Sequence, residues 1–415
     1  MDSNPESPYA VLRNRDFVLY LVARFIASLG TQMLTVAVGW ELYERTHSAL
    51  ALGLVGLTQM APMILLILPA GHVADNHDRK ITVLATVFLT AIASLGLALI
   101  SFRHAPVGWI YLCLTAAGMA RTFLWPASQA FLPQLIERKN FSRAVTWNTG
   151  AFHLSSVIGP AVGGALIALT HNAGVVYAIN AVAALICFAL IALVRSRHTA
   201  RTKVEMTLAS LLAGFKFVYK KKIILGTITL DLFAVLLGGA TSLLPVYAKD
   251  ILHVGPNGLG LLQAALPLGS ISCAIYLAHR RPLQKAGHAL IVSVVLFGLA
   301  TIAFGFSKWF WFSFGMLVVC GAVDNVSVVI RHTLVQLLTP DSMRGRVSAV
   351  NSLFIGTSNE LGGFESGFVA QFLGPVFAVV SGGVGTILVV IATAWVWPEI
   401  RKYGRLDSST DDVPI

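Results

Sequence analysis

The sequence predicts an all-α polytopic membrane protein with about twelve transmembrane helices in two six-helix halves. The chain has 415 residues, of which 56% are hydrophobic and only 12% are charged, whereas soluble domains carry about 25% charged residues. Apolar stretches of about 20 residues, each long enough to cross a bilayer as a helix, recur from end to end. The strict alternation of polar and apolar residues that is typical of membrane β-barrels is absent from the sequence.

The apolar stretches give the order of the spans along the chain. The polar N-terminal segment MDSNPESPYAVLRNRD precedes an apolar run of about 24 residues, which is too long for the core of a cleavable signal peptide. We therefore expect the first span to stay uncleaved. The predicted spans begin near Phe17, Ala49, Ile81, Pro106, Val145, Val175, Ile223, Asn257, His288, Trp309, Val347 and Pro375.

The positions of lysine and arginine predict the orientation of the spans. Most of the 30 basic residues fall on the side of the N-terminus, and the opposite side keeps only Arg45, Arg103, Lys249 and Lys308. Because cytoplasmic loops carry an excess of Lys and Arg, we expect a bacterial inner-membrane protein with both termini in the cytoplasm. Basic loops beside a membrane attract anionic lipid headgroups, so the net charge of +11 does not require a nucleic-acid partner.

The loop GHVADNHDRK, between the second and third spans, contains several residues that can ligate metals. A metal site would need His72, Asp75, His77 and Asp78 to converge, and water competes for an ion in a short cytoplasmic loop. We therefore predict that the loop binds no metal. The four cysteines stand singly in apolar stretches without metal or disulfide spacing, and we expect them to be small buried residues: Cys113, Cys187, Cys273 and Cys320.

A polar interruption near the middle of the chain separates the two predicted halves. Inside it, apolar residues recur at helical spacing beside four lysines, as in a helix that lies on a membrane surface. We predict an N-terminal six-helix half at residues 1–194 and a cytoplasmic linker with an amphipathic helix at 195–222. A C-terminal six-helix half follows at 223–399, and a disordered cytoplasmic tail at 400–415 ends the chain.

Internal similarity supports this division. The tripeptide LGL at Leu52 recurs at Leu259, 207 residues later, and the polar segment that ends at Asn148 recurs at Asn351, 203 residues later. Chance similarity between apolar helices does not explain matched polar loops as well. Parallel repeats of about half a chain are typical of transporters with a substrate site near the middle of the membrane.

The loop GHVADNHDRK resembles the loop signature of the major facilitator superfamily. That signature is a glycine, an aspartate four residues later and a basic pair at the end. Gly71, Asp75, Arg79 and Lys80 occupy these positions, whereas Asn76 replaces the basic residue that usually follows the aspartate. The resemblance implies that this loop latches one of two alternating-access states. Asp75 would then face the positive N-terminal end of a neighbouring helix.

A second motif lies in the fifth span. SSVIGPAVGG resembles the signature of drug and proton antiporters in the same superfamily through Gly159, Pro160, Gly163 and Gly164. Glycines also let helices approach closely and proline bends a helix, so packing alone is the alternative. With this motif and the later segment RHTLVQLLTPDSMRGRVSAVNSLFIG, the chain looks like the enterobactin-exporter and macrolide-efflux branch of the superfamily. This resemblance implies the major facilitator fold and an exporter.

Ionisable residues inside spans are costly and are therefore candidates for function. For proton coupling we predict Glu360 and Asp324 first and Asp231 next, because a coupling acid must exchange its proton with both sides of the membrane. Glu365 is a further candidate, or it caps a bend. Arg121 corresponds, by the resemblance, to a fourth-span arginine of proton-linked members. The ionisable residues that we place inside spans are Arg24, Arg121, His153, Asp231, Asp324, Arg331, Glu360 and Glu365.

A substrate cavity between the halves would be lined by polar amides and by adaptable methionine. Each of these residues could instead form a hydrogen bond between helices. The candidates are Arg24, Gln32, Met33, Trp147, Asn148, Asn180, Gln263, Asn325, Asn351 and Asn359.

These observations predict a secondary exporter of an amphiphilic small molecule, siderophore-like or drug-like, that exchanges it for protons. An importer of sugars or organic anions with the same fold is the alternative. A membrane enzyme or sensor is disfavoured, because the sequence has no nucleotide-binding, zinc-protease or serine-hydrolase motif and no loop long enough for a signalling domain. We expect a monomer without cofactor, whose partners are the small-molecule substrate, protons and anionic lipids.

Overall fold

The computed structural model describes residues 9–195, 208–280, 285–402 and Gly404. Within these ranges the regular structure is entirely helical, with no β-strand. A short 3-10 helix, Ala10–Arg13, precedes the first long helix. The helices of the first half are α1 (Arg15–Thr46), α2 (Ala49–Asn76), α3 (Arg79–Phe102), α4 (Gly108–Leu135), α5 (Phe141–Thr170) and α6 (Ala173–Leu193).

The second half begins with a short helix in the predicted linker. Most of the long helices start within a few residues of the predicted positions. The helix predicted to begin near Val347 starts earlier, at Asp341, because its polar first turns are also helical. The helices are α7 (Leu208–Lys220), α8 (Lys222–Leu237), α9 (Leu244–Val246), α10 (Gly255–Ala278), α11 (Ala286–Phe306), α12 (Phe310–Leu338), α13 (Asp341–Leu373), α14 (Pro375–Val396) and α15 (Pro398–Lys402).

Ten helical segments in the described part of the chain are long and apolar enough to cross a membrane. Helices α4 and α13, of 28 and 33 residues, are also long enough to cross a membrane but are not among these ten. They are less apolar, because Arg121 lies within α4 and Glu360 and Glu365 lie within α13. The predicted all-α polytopic membrane fold is confirmed.

The seventh predicted span is long enough to cross the membrane, but it is not one continuous α-helix. Helix α8 ends at Leu237, and the glycine pair that follows weakens helical structure. A side chain at Gly239 would overlap the carbonyl oxygen of Gly362 in α13, so glycine is needed for this close approach. The chain then continues through a 3-10 turn, α9 and a π-helix, Tyr247–Ile251.

The described residues separate into two compact units. The first unit draws on the ranges Met1–Glu41 and Ala61–Met206, and the second on Leu42–Met60 and Thr207–Ile415. The end of α1 and the first part of α2 are thus grouped with the helices of the second half.

Close packing of α2 on α13 accounts for this grouping. A Cβ atom added at Gly53 would lie 3.1 Å from the carbonyl oxygen of Phe364, so the two backbones are nearly in contact. The Ser48 hydroxyl donates a hydrogen bond of 2.8 Å to the side-chain oxygen of Gln371. Small residues and a polar bond therefore fix this part of α2 to α13.

The two units contain the same helix crossing. In the first, a Cβ atom added at Gly159 of α5 would lie 3.0 Å from the carbonyl oxygen of Leu29 in α1. In the second, a Cβ atom added at Gly362 of α13 would lie 2.8 Å from the carbonyl oxygen of Leu236 in α8. The glycines are 203 residues apart and the leucines 207, which are the two shifts of the sequence repeat. The repeat is therefore present in the packing as well.

The glycine motif of α5 has a clear packing role in this crossing. Gly159, Pro160, Gly163 and Gly164 are all buried. A Cβ atom added at Gly163 would lie 2.9 Å from Cα of Met33 in α1. The absence of side chains at these positions lets α1 and α5 pack backbone to backbone.

We expect alanine at either crossing glycine to destabilise the protein. Gly159→Ala and Gly362→Ala each force a methyl group into occupied space, and overpacking of this kind costs about 1–3 kcal/mol. Gly150→Ala in α5 and Gly345→Ala in α13 are matched controls, because nothing lies within 4 Å of an added Cβ atom there. Their higher helix propensity should leave stability unchanged or raised by up to about 1 kcal/mol. Equal melting temperatures for all four purified variants would contradict the prediction.

Candidate functional site

The second unit contains a cavity that is lined by residues of α8, α12 and α13. Its volume is about 170 Å³. Aliphatic side chains form its walls, and the polar groups come from all three helices. The lining residues are Thr227, Ile228, Asp231, Val235, Asp324, Val328, Arg331, His332, Val335, Asn351, Ile355 and Asn359.

A buried ion pair lies at this cavity. The guanidinium of Arg331 in α12 contacts the carboxylate of Asp231 in α8, and the two side chains are only 11% and 9% exposed. The Nε–H group of Arg331 also donates to the carbonyl oxygen of Ser327 at 3.3 Å. Each charge offsets the burial of the other, because an unpaired ion in such surroundings would be strongly unfavourable. The pair therefore fixes α8 to α12.

Asp324 is the second carboxylate of the cavity. It lies on α12, two helical turns before Arg331 and on the same face, and it is half-buried. In the described part of the chain it has neither an ion pair nor a hydrogen bond, so the charge of Asp231 is compensated and that of Asp324 is not. The amide of Asn359 donates to the carbonyl oxygen of Ile355 at 2.8 Å.

The cavity brings together five of the residues that the sequence singled out: Asp231, Asp324, Arg331, Asn351 and Asn359. Sequence reasoning missed two polar lining residues, Thr227 and His332. Helical spacing could have found Thr227, because it precedes Asp231 by one turn. Helical spacing could not have indicated His332. This residue is adjacent to Arg331, and adjacent residues on a helix point in different directions.

The other acidic candidates, Glu360 and Glu365, lie on α13 and do not line this cavity. The backbone of Glu360 packs against Gly56 of α2. Glu365 accepts a hydrogen bond of 3.3 Å from the hydroxyl of Ser366. Of the two remaining amide candidates in this unit, Gln263 is half-buried in α10 and Asn325 has a buried side-chain nitrogen without a hydrogen-bond partner among the described residues.

Several amide candidates of the first unit hold helices together. The amide of Gln32 in α1 donates to the hydroxyl of Ser156 in α5 at 2.8 Å. Asn180 in α6 is 2% exposed and donates to the hydroxyl of Ser94 in α3 at 2.7 Å. Met33 is 3% exposed. These side chains serve helix packing, which is the alternative role that the sequence left open.

The remaining candidates of the first unit occupy separate places. Arg24 is half-buried in α1, close enough to the phenol of Tyr20 to influence it electrostatically. Arg121 is exposed. The rings of Trp147 and Tyr9 are 6.0 Å apart. Asn148 and His153 are half-buried in α5.

Most of the predicted loop GHVADNHDRK is helical, because α2 extends to Asn76 and α3 begins at Arg79. Its basic pair, at the start of α3, joins helix ends inside the first unit. The Lys80 ammonium donates to the carbonyl oxygens of Ala192 and Val194 at the end of α6, at 2.8 Å each. The Arg79 guanidinium donates to the carbonyl oxygen of Ala130 in α4 at 2.9 Å. Cations at helix C-termini satisfy carbonyl groups and favour the helix dipole, so both residues tie the start of α3 to its neighbours.

The other residues of this segment lie at the start of α3 and at the end of α2. Asp78 caps α3, because its carboxylate accepts from the backbone N–H of Lys80 and of Ile81. Gly71 is buried in α2. The side chain of Asp75 lies outside the described part of the structure. No group of three or more His, Cys, Asp or Glu side chains in the described residues could hold a metal ion.

Comparison with known proteins identifies the family of this chain. The family model described as transmembrane secretion effector, MFS_3, matches residues 6–411. The chain is 27% identical to the enterobactin exporter EntS of Citrobacter koseri, with 96% of each chain covered. It is 26% identical to the protein of the same name from Escherichia coli O1:K1, with 93% of each covered.

Solved structures have the same fold at low identity. A POT family transporter in complex with a thioalcohol-conjugated peptide is 12% identical and superposes with a TM-score of 0.75, over 93% of this chain and 96% of the other. A D-xylose–proton symporter is 13% identical, with a TM-score of 0.71 over 94% and 99%. A family match along nearly the whole sequence and a shared fold lead to one conclusion: the chain belongs to the transmembrane secretion effector family of the major facilitator superfamily and is a multi-pass membrane transporter.

Proposed function

We propose that the protein exports an amphiphilic small molecule, siderophore-like or drug-like, across the bacterial inner membrane in exchange for protons. The observation that carries the proposal is the cavity of the second unit, where the uncompensated carboxylate of Asp324 lies near the buried Asp231–Arg331 pair. A carboxylate without a fixed cation can bind and release a proton without breaking an ion pair. Aliphatic walls beside polar groups suit a substrate with both kinds of surface.

Export is favoured over the import of sugars or organic anions by the relatives. Two proteins similar over nearly their whole length carry the name enterobactin exporter. The family is one of transporters, which also argues against an enzyme or a sensor. The proposed substrate is therefore a small molecule that leaves the cytoplasm by alternating access.

The proposed roles follow from the surroundings of each residue. Asp324 carries the proton, and Arg331 pairs with Asp231. Glu360, Glu365 and Arg121 remain candidates for coupling, and the other polar candidates of both units remain candidates for contact with the substrate. The segment GHVADNHDRK, which contains Asp75, remains the candidate latch between alternating states.

The surface helix α7 supports the proposed contact with anionic lipids. It packs on α13, where a Cβ atom added at Gly214 would lie 2.9 Å from the carbonyl oxygen of Arg346. Lys216 and Lys220 in α7, and Lys221 directly after it, are exposed. With both termini in the cytoplasm, these lysines would face the acidic inner leaflet. Replacing all three by glutamine should lower the ratio of phosphatidylglycerol to neutral lipid that co-purifies with the protein; an unchanged lipid ratio would refute this contact.

Everted membrane vesicles with an imposed acidic interior test the proposed function. Iron-free enterobactin and lipophilic drugs are added outside, and the internal pH is followed with a fluorescent probe. Export in exchange for protons should move the substrate into the vesicle and dissipate the gradient, and a protonophore should stop uptake. Substrate uptake that persists at full rate without a proton gradient would exclude antiport. Uptake only in right-side-out vesicles would indicate import instead.

A further inference from the structure

The end of the second unit where α10 stops and α11 starts is basic and has no acidic residue of its own. Arg280 follows α10 and Lys285 precedes α11, and both side chains are exposed. Neither forms an ion pair with another described residue. No aspartate or glutamate occurs in the sequence between Asp250 and Asp324, so neither helix can supply a carboxylate. Exposed cations without carboxylates beside them attract an anionic partner.

The first half of the chain has a carboxylate at the equivalent place. A shift of 207 residues relates Asp78 to Lys285, and the helices α3 and α11 begin at the residue that follows each of them. The Asp78 carboxylate accepts two backbone N–H groups of α3. Lysine has no acceptor, and the N–H group of Ala286 instead donates to the carbonyl oxygen of Gly404 at 3.0 Å. The C-terminal segment therefore supplies a bond that a side chain supplies in the first half.

The contacts of the C-terminal segment fix its course up to Gly404. The Oε1 atom of Glu399 in α15 lies 3.8 Å from Nζ of Lys222 at the start of α8. Trp397, just before α15, packs against the buried cluster that includes Ala286 of α11. The segment is thus held at the same end of the unit as the exposed cations, and it reaches the first residue of α11.

The acidic segment LDSSTDDVPI, residues 406–415, carries the charge that this end lacks. It contains Asp407, Asp411 and Asp412 and no lysine or arginine. The segment lies outside the described residues, but its covalent connection limits its position. Asp407 comes three residues after Gly404, and three residues of extended chain span at most about 11 Å. The first carboxylate is therefore tethered near Lys285, at about the range of electrostatic interactions at physiological salt.

We infer that the acidic segment binds the basic end of α10 and α11, through ion pairs of its aspartates with Arg280 and Lys285. The second half thereby obtains the negative charge that Asp78 gives to the first half. Because the segment is tethered, each pair forms intramolecularly and the pairs reinforce one another. Anionic lipid headgroups are the competing occupant of these cations, and the bound segment would exclude them.

Carbodiimide cross-linking of the purified full-length protein tests this contact, because the reagent joins an amine directly to a carboxylate. At low salt, mass spectrometry should find Lys285 joined to an aspartate of the acidic segment. The ion pair of Lys139 with Glu137, at 2.9 Å, is the positive control for the reaction. Salt at about 1 M, where the Debye length is about 3 Å, should remove most of the cross-link to Lys285. A cross-link that forms equally at both salt concentrations would show a tether without ion pairs and would overturn the inference.

The lipid that co-purifies with the protein distinguishes the acidic segment from anionic lipid at the same surface. The variant with Asp407→Asn, Asp411→Asn and Asp412→Asn should leave the basic end open to headgroups. The ratio of phosphatidylglycerol to neutral lipid should then rise by about twofold or more. This rise should disappear when Arg280→Gln and Lys285→Gln are added to the same variant.

Glu44→Gln is the control for this comparison, because it removes an exposed carboxylate at the end of α1 and should leave the lipid ratio unchanged. An unchanged ratio in the triple asparagine variant would overturn the inference. A lower ratio on replacing only Arg280 and Lys285 would then assign this surface to lipid. Neither measurement involves transport, so a negative result would leave export in exchange for protons unaffected.

Discussion

Replacement of Asp324 by asparagine is expected to abolish proton-coupled transport and to leave the protein folded. Asparagine has nearly the same shape as aspartate but cannot bind and release a proton. No ion pair is lost, because Asp324 has none among the described residues. In everted vesicles, substrate should no longer dissipate the pH gradient, and the signal should fall to that of vesicles without the protein.

Asp324→Glu is the matched control for this prediction, because it keeps a carboxylate at the cavity and should retain measurable coupling. Glu360→Gln is the informative comparison, because Glu360 is the other leading candidate and packs against α2. Normal coupling in Asp324→Asn together with loss of coupling in Glu360→Gln would assign the proton to α13 and refute the role of Asp324.

The second large effect is expected on stability, at the Asp231–Arg331 pair. Asp231→Asn leaves the guanidinium of Arg331 buried without its counter-ion, and Arg331→Gln does the same to the carboxylate of Asp231. Removing one partner of a buried pair typically costs about 3–5 kcal/mol. Each single variant should therefore give little folded protein, with a clearly lower melting temperature in detergent.

The double variant Asp231→Asn with Arg331→Gln should recover most of the lost stability. Neither charge is then left without a partner, and the two amides can form a hydrogen bond, so the effects of the single changes should not add. Lys222→Gln provides the contrast, because its pair with Glu399 is exposed at 74% and 43% and such pairs contribute little. Single variants as stable as the wild type, or a double variant as unstable as the singles, would contradict this account.

The fold could be predicted from the sequence because a bilayer imposes long apolar segments. The same constraint indicated the charged residues of the cavity, since ionisable residues are rare in spans. Which of them meet depends on the packing of α8, α12 and α13, and one sequence does not contain this information. Glu360 and Asn359 are neighbours in sequence, yet only Asn359 lines the cavity.

Two features of the structure depend on information that composition and apolar length do not contain. Asn180 and Gln32 have the polarity of substrate contacts, but a buried amide between helices has the same composition, and the structure uses both amides to join helices. The break after Leu237 was not predicted, because the span was identified only from the length of its apolar stretch, and that stretch continues past the break. The glycine pair at Gly238 and Gly239 was present in the sequence and could have indicated a discontinuous helix.

The division of α2 between the two units has a mechanical consequence. One continuous helix, Ala49–Asn76, contributes its start to one unit and its remainder to the other, and the division falls between Met60 and Ala61. Pro62 lies inside the helix at this point, where the missing N–H group makes the backbone easier to bend. Spin labels on either side of Pro62 should report a change of bend angle during transport, whereas a constant distance would show that α2 moves as a rigid rod. On this view α2 bends at Pro62, which lies next to the boundary between the two units.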